Sequence, residues 1–289
     1  MASFAIGDTP SPTESDRGPA PFGVAPVAVR HVVVPLDGSP FAERALPVAA
    51  WLAAAVGAGV HLVEVIPPGD DEGAETATRY LDSTCRHHHG TSWDVVRQDE
   101  VGDALAAEVT RSGGRLACLA THGRGRSPTI GSVAVSLLER SREPLMLVGP
   151  AARAVTASDA PLAVAVDRTP HDDVVVGVAL GWAALLARHL DIVTVDDERG
   201  GDVPELERYV RSVEARSRGC GVTVGTRVVR DAIDVRDGLV PVLDRTSALV
   251  VLGSHVHPGH GPLAPGSHAV SIVHNVAVPA LVVPLPLAG

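Results

Sequence analysis

At 289 residues, 45% of them apolar and 20% charged, the chain has enough length and apolar material for two domains with buried cores. A net charge of −10 excludes a general nucleic-acid or acidic-membrane binder, since both need a basic face. Three widely spaced cysteines (Cys85, Cys118, Cys220) exclude a disulfide framework and a paired-cysteine metal motif. With no signal-peptide pattern and no membrane-length apolar run, a cytoplasmic protein is expected.

Residues 1–29 hold Pro, Gly, Ser and Asp without periodicity and are expected to form a disordered or loosely attached tail. The β-branched run His31–Leu36 predicts a buried strand, ended by Asp37-Gly38-Ser39-Pro40, in which Ser39 can cap a helix with Pro40 at its first position. A helix over Phe41–Val56 follows, then a strand over Val60–Ile66, a polar helix over Ala74–His88 and a strand over Ser92–Gln98. A helix from Gly102 to Arg111, a strand at Arg115–Ala120, a helix at Gly131–Ser141 and a strand at Pro144–Val148 complete this part. Strands alternating with helices imply right-handed crossovers and a parallel sheet.

After a linker at Gly149–Ala160 the pattern restarts. Strands are expected at Leu162–Val166, Asp191–Val195, Val222–Val228, Ala248–Leu252 and Pro279–Val283. Helices are expected at His171–Arg188, Pro204–Arg218 and Val235–Arg245, with Gly266-Ser267 opening the last. Asp37 and Asp167 are 130 positions apart, as are Val65 and Val195; Gly131 and Gly266 are 135 apart, as are Pro144 and Pro279. The chain is therefore an internal duplication of one αβ unit.

Between the fourth strand and the next helix, Leu119–Val133 reads Leu-Ala-Thr-His-Gly-Arg-Gly-Arg-Ser-Pro-Thr-Ile-Gly-Ser-Val. A glycine-rich loop running into a helix N-terminus can cradle a phosphate through backbone N–H groups, and it can equally be a turn that needs glycine for its own geometry. Arg124 and Arg126 are candidate phosphate partners or plain exposed loop residues. The lysine of a P-loop is missing, the first strand–helix turn lacks Gly-x-Gly-x-x-Gly, and no nucleophile-elbow or metalloprotease motif is found. His87-His88-His89 point in different directions, and His255, His257 and His260 with His268 and His274 read as a solvated, pH-responsive loop; no metal site is expected.

Five strand–helix units per copy, an acidic residue ending strand 1 and a glycine loop after strand 4 resemble a tandem universal stress protein, over about residues 30 to 287. The resemblance implies two doubly wound αβα domains, 30–150 and 160–287, each with a five-stranded parallel sheet in the order 3-2-1-4-5. The apolar fifth strands of the two copies would pair as an internal pseudo-dimer. It also implies an ATP-binding, or other adenine-nucleotide-binding, regulatory protein of stress response or dormancy, with Mg entering only alongside ATP. In the first copy the family's contacts fall on Leu36, Asp37, Val65, Ala120, Thr121, Gly123, Arg124, Gly131, Ser132 and Val133; in the second they fall on Asp167, Val195, Gly253, Gly266 and Ser267. The family's signature is glycine, two residues, glycine, nine residues, then glycine with serine or threonine. Here Ala120 replaces the first glycine of copy one, and only seven residues separate Gly123 from Gly131. In copy two, Val256 replaces the middle glycine and Gly38-Ser39 has become Arg168-Thr169, so the first site reads as the more complete. No residue is committed to catalysis, and at most weak ATP hydrolysis is expected. The competing reading is a nucleotide-free scaffold of the same fold acting by protein–protein contact; further oligomers remain open.

Overall fold

In a computed structural model the strands form one twisted sheet with helices on both faces. The structure describes residues 21–87, 91–111, 115–122, 131–140, 143–153, 159–197, 203–232, 234–254 and 268–285. The first half runs β1 (His31–Pro35), a 3-10 turn (Ala42–Arg44) into α1 (Ala45–Val56), β2 (Gly59–Ile66), α2 (Asp71–His87) and β3 (Thr91–Arg97). It continues with α3 (Val101–Thr110), β4 (Arg115–Ala120), α4 (Ser132–Arg140) and β5 (Leu145–Val148). The second half runs β6 (Leu162–Val166), α5 (Asp172–Leu185), β7 (Leu190–Asp197), α6 (Val203–Ser217) and β8 (Val224–Ala232). It ends with α7 (Val235–Thr246), β9 (Leu249–Ser254), α8 (His268–Asn275) and β10 (Ala280–Pro284).

The sheet order is β3-β2-β1-β4-β5-β10-β9-β6-β7-β8, so each half has the expected 3-2-1-4-5 order and the two meet at their fifth strands. Pairing is parallel within each half and antiparallel at the seam, where Ala280 faces Leu147, Leu281 faces Met146 and Val282 faces Leu145. All six of these side chains are fully buried. An apolar edge of this kind would recruit another chain if left open, and the duplication closes it internally.

Alternation along the strands divides the core into two layers. Val32 and Val34 of β1 join Leu52 of α1 and Leu81 of α2 on one face, continuous with Leu180 and Trp182 of α5. Val33 points to the other face, with Leu105 of α3 and Leu137 of α4, continuous with Leu243 of α7 and Val273 of α8. Burying each such side chain is worth about 1.5–3 kcal/mol before entropy is counted.

Several boundaries differ from the sequence reading, each for a local reason. Helix α2 begins at Asp71 because Asp70 caps it, its Oδ1 accepting the Gly73 N–H at 2.8 Å. Helix α5 ends three residues early, at Leu185. Ala187 takes φ +51°, the Arg188 N–H donates to the Ala183 carbonyl (2.8 Å) and the Ala187 N–H to Ala184 (3.2 Å), which is a Schellman close. Helix α1 closes similarly with Gly57 at φ +68° and Ala58 N–H on the Ala53 carbonyl. Strand β8 starts late, after turns at Gly219 and Gly221 with positive φ, and runs on to Ala232.

The end of the expected loose tail needs correction. Residues 21–29 are a packed strap that leaves β1 and crosses onto α5 and α6 of the other half. The Ala25 N–H donates to the Gly177 carbonyl (3.0 Å) and the Phe22 N–H to the Arg216 carbonyl (3.1 Å). Phe22 is buried under the Arg216 guanidinium, 4.0 Å from the ring centre, and Asp173 grips Arg216 with two bonds of 2.8 and 2.7 Å. The cause lies in α5. A β-carbon at Gly177 would collide with the Gly23 carbonyl, and one at Gly181 with the Ala25 carbonyl. Two glycines four apart share a helix face and let the strap backbone lie on it. The connection between the halves makes a reverse contact, with the Arg44 guanidinium donating to the carbonyls of Pro150 (2.8 Å) and Ala152 (3.1 Å).

Candidate functional site

Strand order reverses between β1 and β4, and again between β6 and β9. Chain segments leaving such neighbours diverge and open a crevice at the carboxyl ends of the strands, where open α/β sheets bind ligands.

In the first crevice, Leu36 is buried and extends the β1 ladder, its N–H donating to the Val63 carbonyl (2.8 Å). Asp37 then turns the chain. Its Oδ1 accepts the Ser39 N–H (2.9 Å), Gly38 takes φ +73°, and Ser39 Oγ accepts the Ala42 N–H (3.2 Å). Val65 sits partly buried near the end of β2. Ala120 and Thr121 end β4 on the opposite wall. The Gly131 N–H donates to the Thr121 carbonyl at 2.7 Å, closing the base of the glycine loop, and Ser132 and Val133 begin α4. The Thr121 hydroxyl donates to the Val148 carbonyl at 3.4 Å. Gly123 and Arg124 lie outside the described residues.

The second crevice repeats this plan with different chemistry. Asp167 Oδ1 accepts the Thr169 N–H at 3.3 Å, and Arg168 holds the left-handed turn at φ +64° where the first copy has glycine. The Thr169 hydroxyl is buried with no hydrogen-bond partner among the described residues. Ser254 copies Thr121, donating to the Val283 carbonyl at 3.2 Å. Here the walls enclose a cavity of about 460 Å³, whose lining includes Val195, Leu252 and Ile272 as apolar surface and Asp167 and Asp172 as carboxylates. Gly253 and His268 also line it, while Gly266 and Ser267 lie outside the described residues. The cavity lies within the usual range for small-molecule sites, roughly 300–1,000 Å³.

The structure also shows a feature the sequence reading missed, a carboxylate–tyrosine tie present in both halves. Tyr80 donates its hydroxyl to Glu43 (2.9 Å) and Tyr209 donates to Asp172 (2.6 Å), each tyrosine 37 positions after its acid. The chain has only two tyrosines, so the matched spacing was visible but unread. The ties differ in burial. Asp172 is 6% exposed, and its Oδ1 also accepts the Asp167 N–H at 3.4 Å. Burial pushes the Asp172 carboxyl up to about 6; the Tyr209 hydrogen bond opposes this and the Asp167 charge adds to it. Both tyrosine hydroxyls are raised, first by burial and then by their acids.

The glycines flanking the loops differ in what a β-carbon would meet. At Gly131 a β-carbon would sit 3.2 Å from the Thr121 carbonyl oxygen, and at Gly253 it would meet Leu285 Cδ1 at 2.7 Å. Close approach of backbone therefore gives Gly131 a packing reason, whereas at Gly253 the neighbour is the end of a leucine side chain, which can shift. The crevices also touch the seam. His122, which starts the first glycine loop, packs edge-to-face on His274 of α8 with ring centres 4.9 Å apart. The His274 imidazole is pushed down by burial and by the neighbouring His122.

Among the described residues no group of three or more His, Cys, Asp or Glu side chains is arranged to hold a metal ion, and no helix is long and apolar enough to cross a membrane. A duplicated αβ sheet with two switch-point crevices defines the class. Residues 28–149 match the model of the universal stress protein family. The solved structure of a universal stress protein from Archaeoglobus fulgidus DSM 4304 covers 87% of this chain and 97% of its own at 19% identity, with a TM-score of 0.65. A protein of unknown function from Pseudomonas aeruginosa PAO1 covers 89% and 92% at 16% identity, TM-score 0.61. A putative universal stress protein from Pseudomonas aeruginosa UCBPP-PA14 covers 89% and 93% at 16% identity, TM-score 0.60. No curated protein matches the chain. The family match lies in the first half, and the whole chain shares the fold of the Archaeoglobus protein across both halves.

Proposed function

We propose that the chain is an adenine-nucleotide-binding regulatory protein of stress response or dormancy, with ATP as the leading ligand and binding as its mechanism. The observation that carries this reading is the second crevice: a cavity of about 460 Å³ lined by apolar side chains and by the aspartate turn at Asp167. Val195 and Leu252 suit a base, and Asp167 suits the ribose hydroxyls, which donate to a carboxylate. The first crevice carries the same aspartate turn at Asp37 and a loop closed at Thr121 and Gly131. Thr121, Gly123, Arg124, Gly131, Ser132 and Val133 would hold the phosphates there; Gly253, Gly266 and Ser267 would do so in the second copy.

A scaffold reading of the same fold draws on Leu285, whose methyl group occupies the space beside Gly253. Titration calorimetry with Mg-ATP separates the two readings. Saturable heat that is reduced by Asp37→Ala and by Asp167→Ala, and lost in the double variant, supports nucleotide binding. No heat at millimolar ATP would leave the scaffold.

A further inference from the structure

One buried carboxyl sets the second crevice apart from the first. Asp172 opens α5, lines the second cavity and is only 6% exposed. The matching position 130 residues earlier is Ala42, and the first-half tyrosine tie falls instead on Glu43, one position further along. We propose, building on the nucleotide reading above, that the second crevice binds its nucleotide together with one proton, which Asp172 takes up from solvent, so that acid favours loading of this half of the chain.

The geometry places Asp172 against the aspartate turn. Its Oδ2 accepts the Tyr209 hydroxyl at 2.6 Å from α6, and its Oδ1 accepts the Asp167 N–H at 3.4 Å. Burial already favours the protonated form, and the neighbouring Asp167 carboxyl adds to this through its charge and through a side-chain hydrogen bond. The other charged or titratable groups on the cavity lining, among the described residues, are Arg168 in the turn, His171 before α5 and His268 of α8. Asp173, the next residue of α5, is held by Arg216 of α6.

A bound nucleotide pushes in the same direction. An apolar base against Val195 and Leu252 displaces water from beside the carboxyl pair, and the phosphates bring negative charge to the same crevice. Both effects penalise a second ionised carboxylate. Ribose hydroxyls donating to Asp167 hold the negative charge on that residue, which is exposed where Asp172 is buried. The proton therefore falls on Asp172. Its protonated Oδ1 can donate to the Asp167 carboxylate while Oδ2 still accepts from Tyr209. The first crevice has the aspartate turn at Asp37 and, with Ala42, no second acid at the matching position.

The test is calorimetry of the full chain with Mg-ATP, repeated in buffers of different ionisation heat so that protons bound with the nucleotide are counted. Asp37→Ala leaves the second crevice to be read alone. In that background, uptake of at least about half a proton is expected near about pH 6.5, with binding about fivefold tighter at about pH 5.5 than at about pH 7.5. Adding Asp172→Asn should abolish the uptake and flatten the profile, whereas adding His171→Gln and His268→Gln together should retain it. Tyr209→Phe removes the bond that favours the ionised carboxyl and should move the profile to higher pH; this variant decides the matter should Asp172→Asn fail to fold. Proton release, equal affinity across the range, uptake that survives Asp172→Asn or is lost with the histidines, or an unmoved profile in Tyr209→Phe would each overturn the proposal and leave the nucleotide reading in place. No binding at any pH would overturn both.

Discussion

The two crevices share a backbone plan and differ in what it costs to hold it. In the first, glycine occupies the left-handed position of the aspartate turn and serine caps the following helix. In the second, Arg168 takes the left-handed position and Thr169 leaves its hydroxyl unsatisfied among the described residues. The same contrast recurs at the helix ends, with Gly57 in one copy and Ala187 in the other. The second half also carries the strap on Gly177 and Gly181, where the first has Pro47 and Trp51 at the matching positions. A duplicated fold has thus kept its topology while one copy accepted strain and took on a new contact. Strain at a crevice is a reason to look there for function, since surrounding structure must hold it in place.

The largest expected break in this comparison is at the strap. Gly181→Leu should destabilise by about 3 kcal/mol in urea unfolding, because a β-carbon there already meets the Ala25 carbonyl and the Val27 side chain. Trp51→Leu at the matching first-half position should cost about half that, since Trp51 is only partly buried.

The ties come next. Tyr209→Phe should cost roughly 2–3 kcal/mol by leaving the buried Asp172 without its 2.6 Å donor, while Tyr80→Phe should cost about 1 kcal/mol because Glu43 is less buried.

Asp172 also gives the halves different pH responses. Its folded carboxyl titrates near 6, above the ordinary 3.8, so the native state holds this proton more tightly than the unfolded chain does. The contribution is therefore fully present below about pH 4 and is lost as pH rises toward 6, by up to roughly 3 kcal/mol. Asp172→Asn should flatten the stability profile between pH 4 and pH 6; an unchanged slope in that window would place the titrating group elsewhere.

The smallest effects are at the left-handed residues. Arg168→Gly and Ala187→Gly should each stabilise by about 1 kcal/mol, and Gly57→Ala should destabilise by a similar amount. Thermal melts of the three variants would reveal a sign error directly.

Much of the fold was legible because duplication doubles every signal. The constant offsets from Asp37 to Asp167 and from Pro144 to Pro279 marked equivalent strand ends, and the uncharged runs at β5 and β10 marked the seam. The strap was not legible, since a Pro- and Gly-rich segment looks the same free or docked. Its only trace was Gly177 and Gly181, four apart in a helix otherwise rich in Val, Ala and Leu. At the site, the aspartate turns were readable from local chemistry. The relative standing of the crevices was not: the middle glycine Gly123 and the Gly38-Ser39 pair favoured the first, whereas the well-formed cavity at the second depends on Val195, Leu239, Leu252 and Ile272 arriving from four elements. The Tyr209–Asp172 tie was overlooked because it joins two helices, and helical periodicity shows which face is buried but not what it meets.

The proposal that both crevices bind adenine nucleotide stands on the lining of the second, where Val195 and Leu252 would meet the base and Asp167 the ribose. A crystal structure of the full chain grown with Mg-ATP tests it most directly. The account predicts an adenine ring against Val195 and Leu252 with the ribose at Asp167. An empty second crevice at millimolar ATP, with Leu285 and the Asp172–Tyr209 tie unmoved, would contradict it.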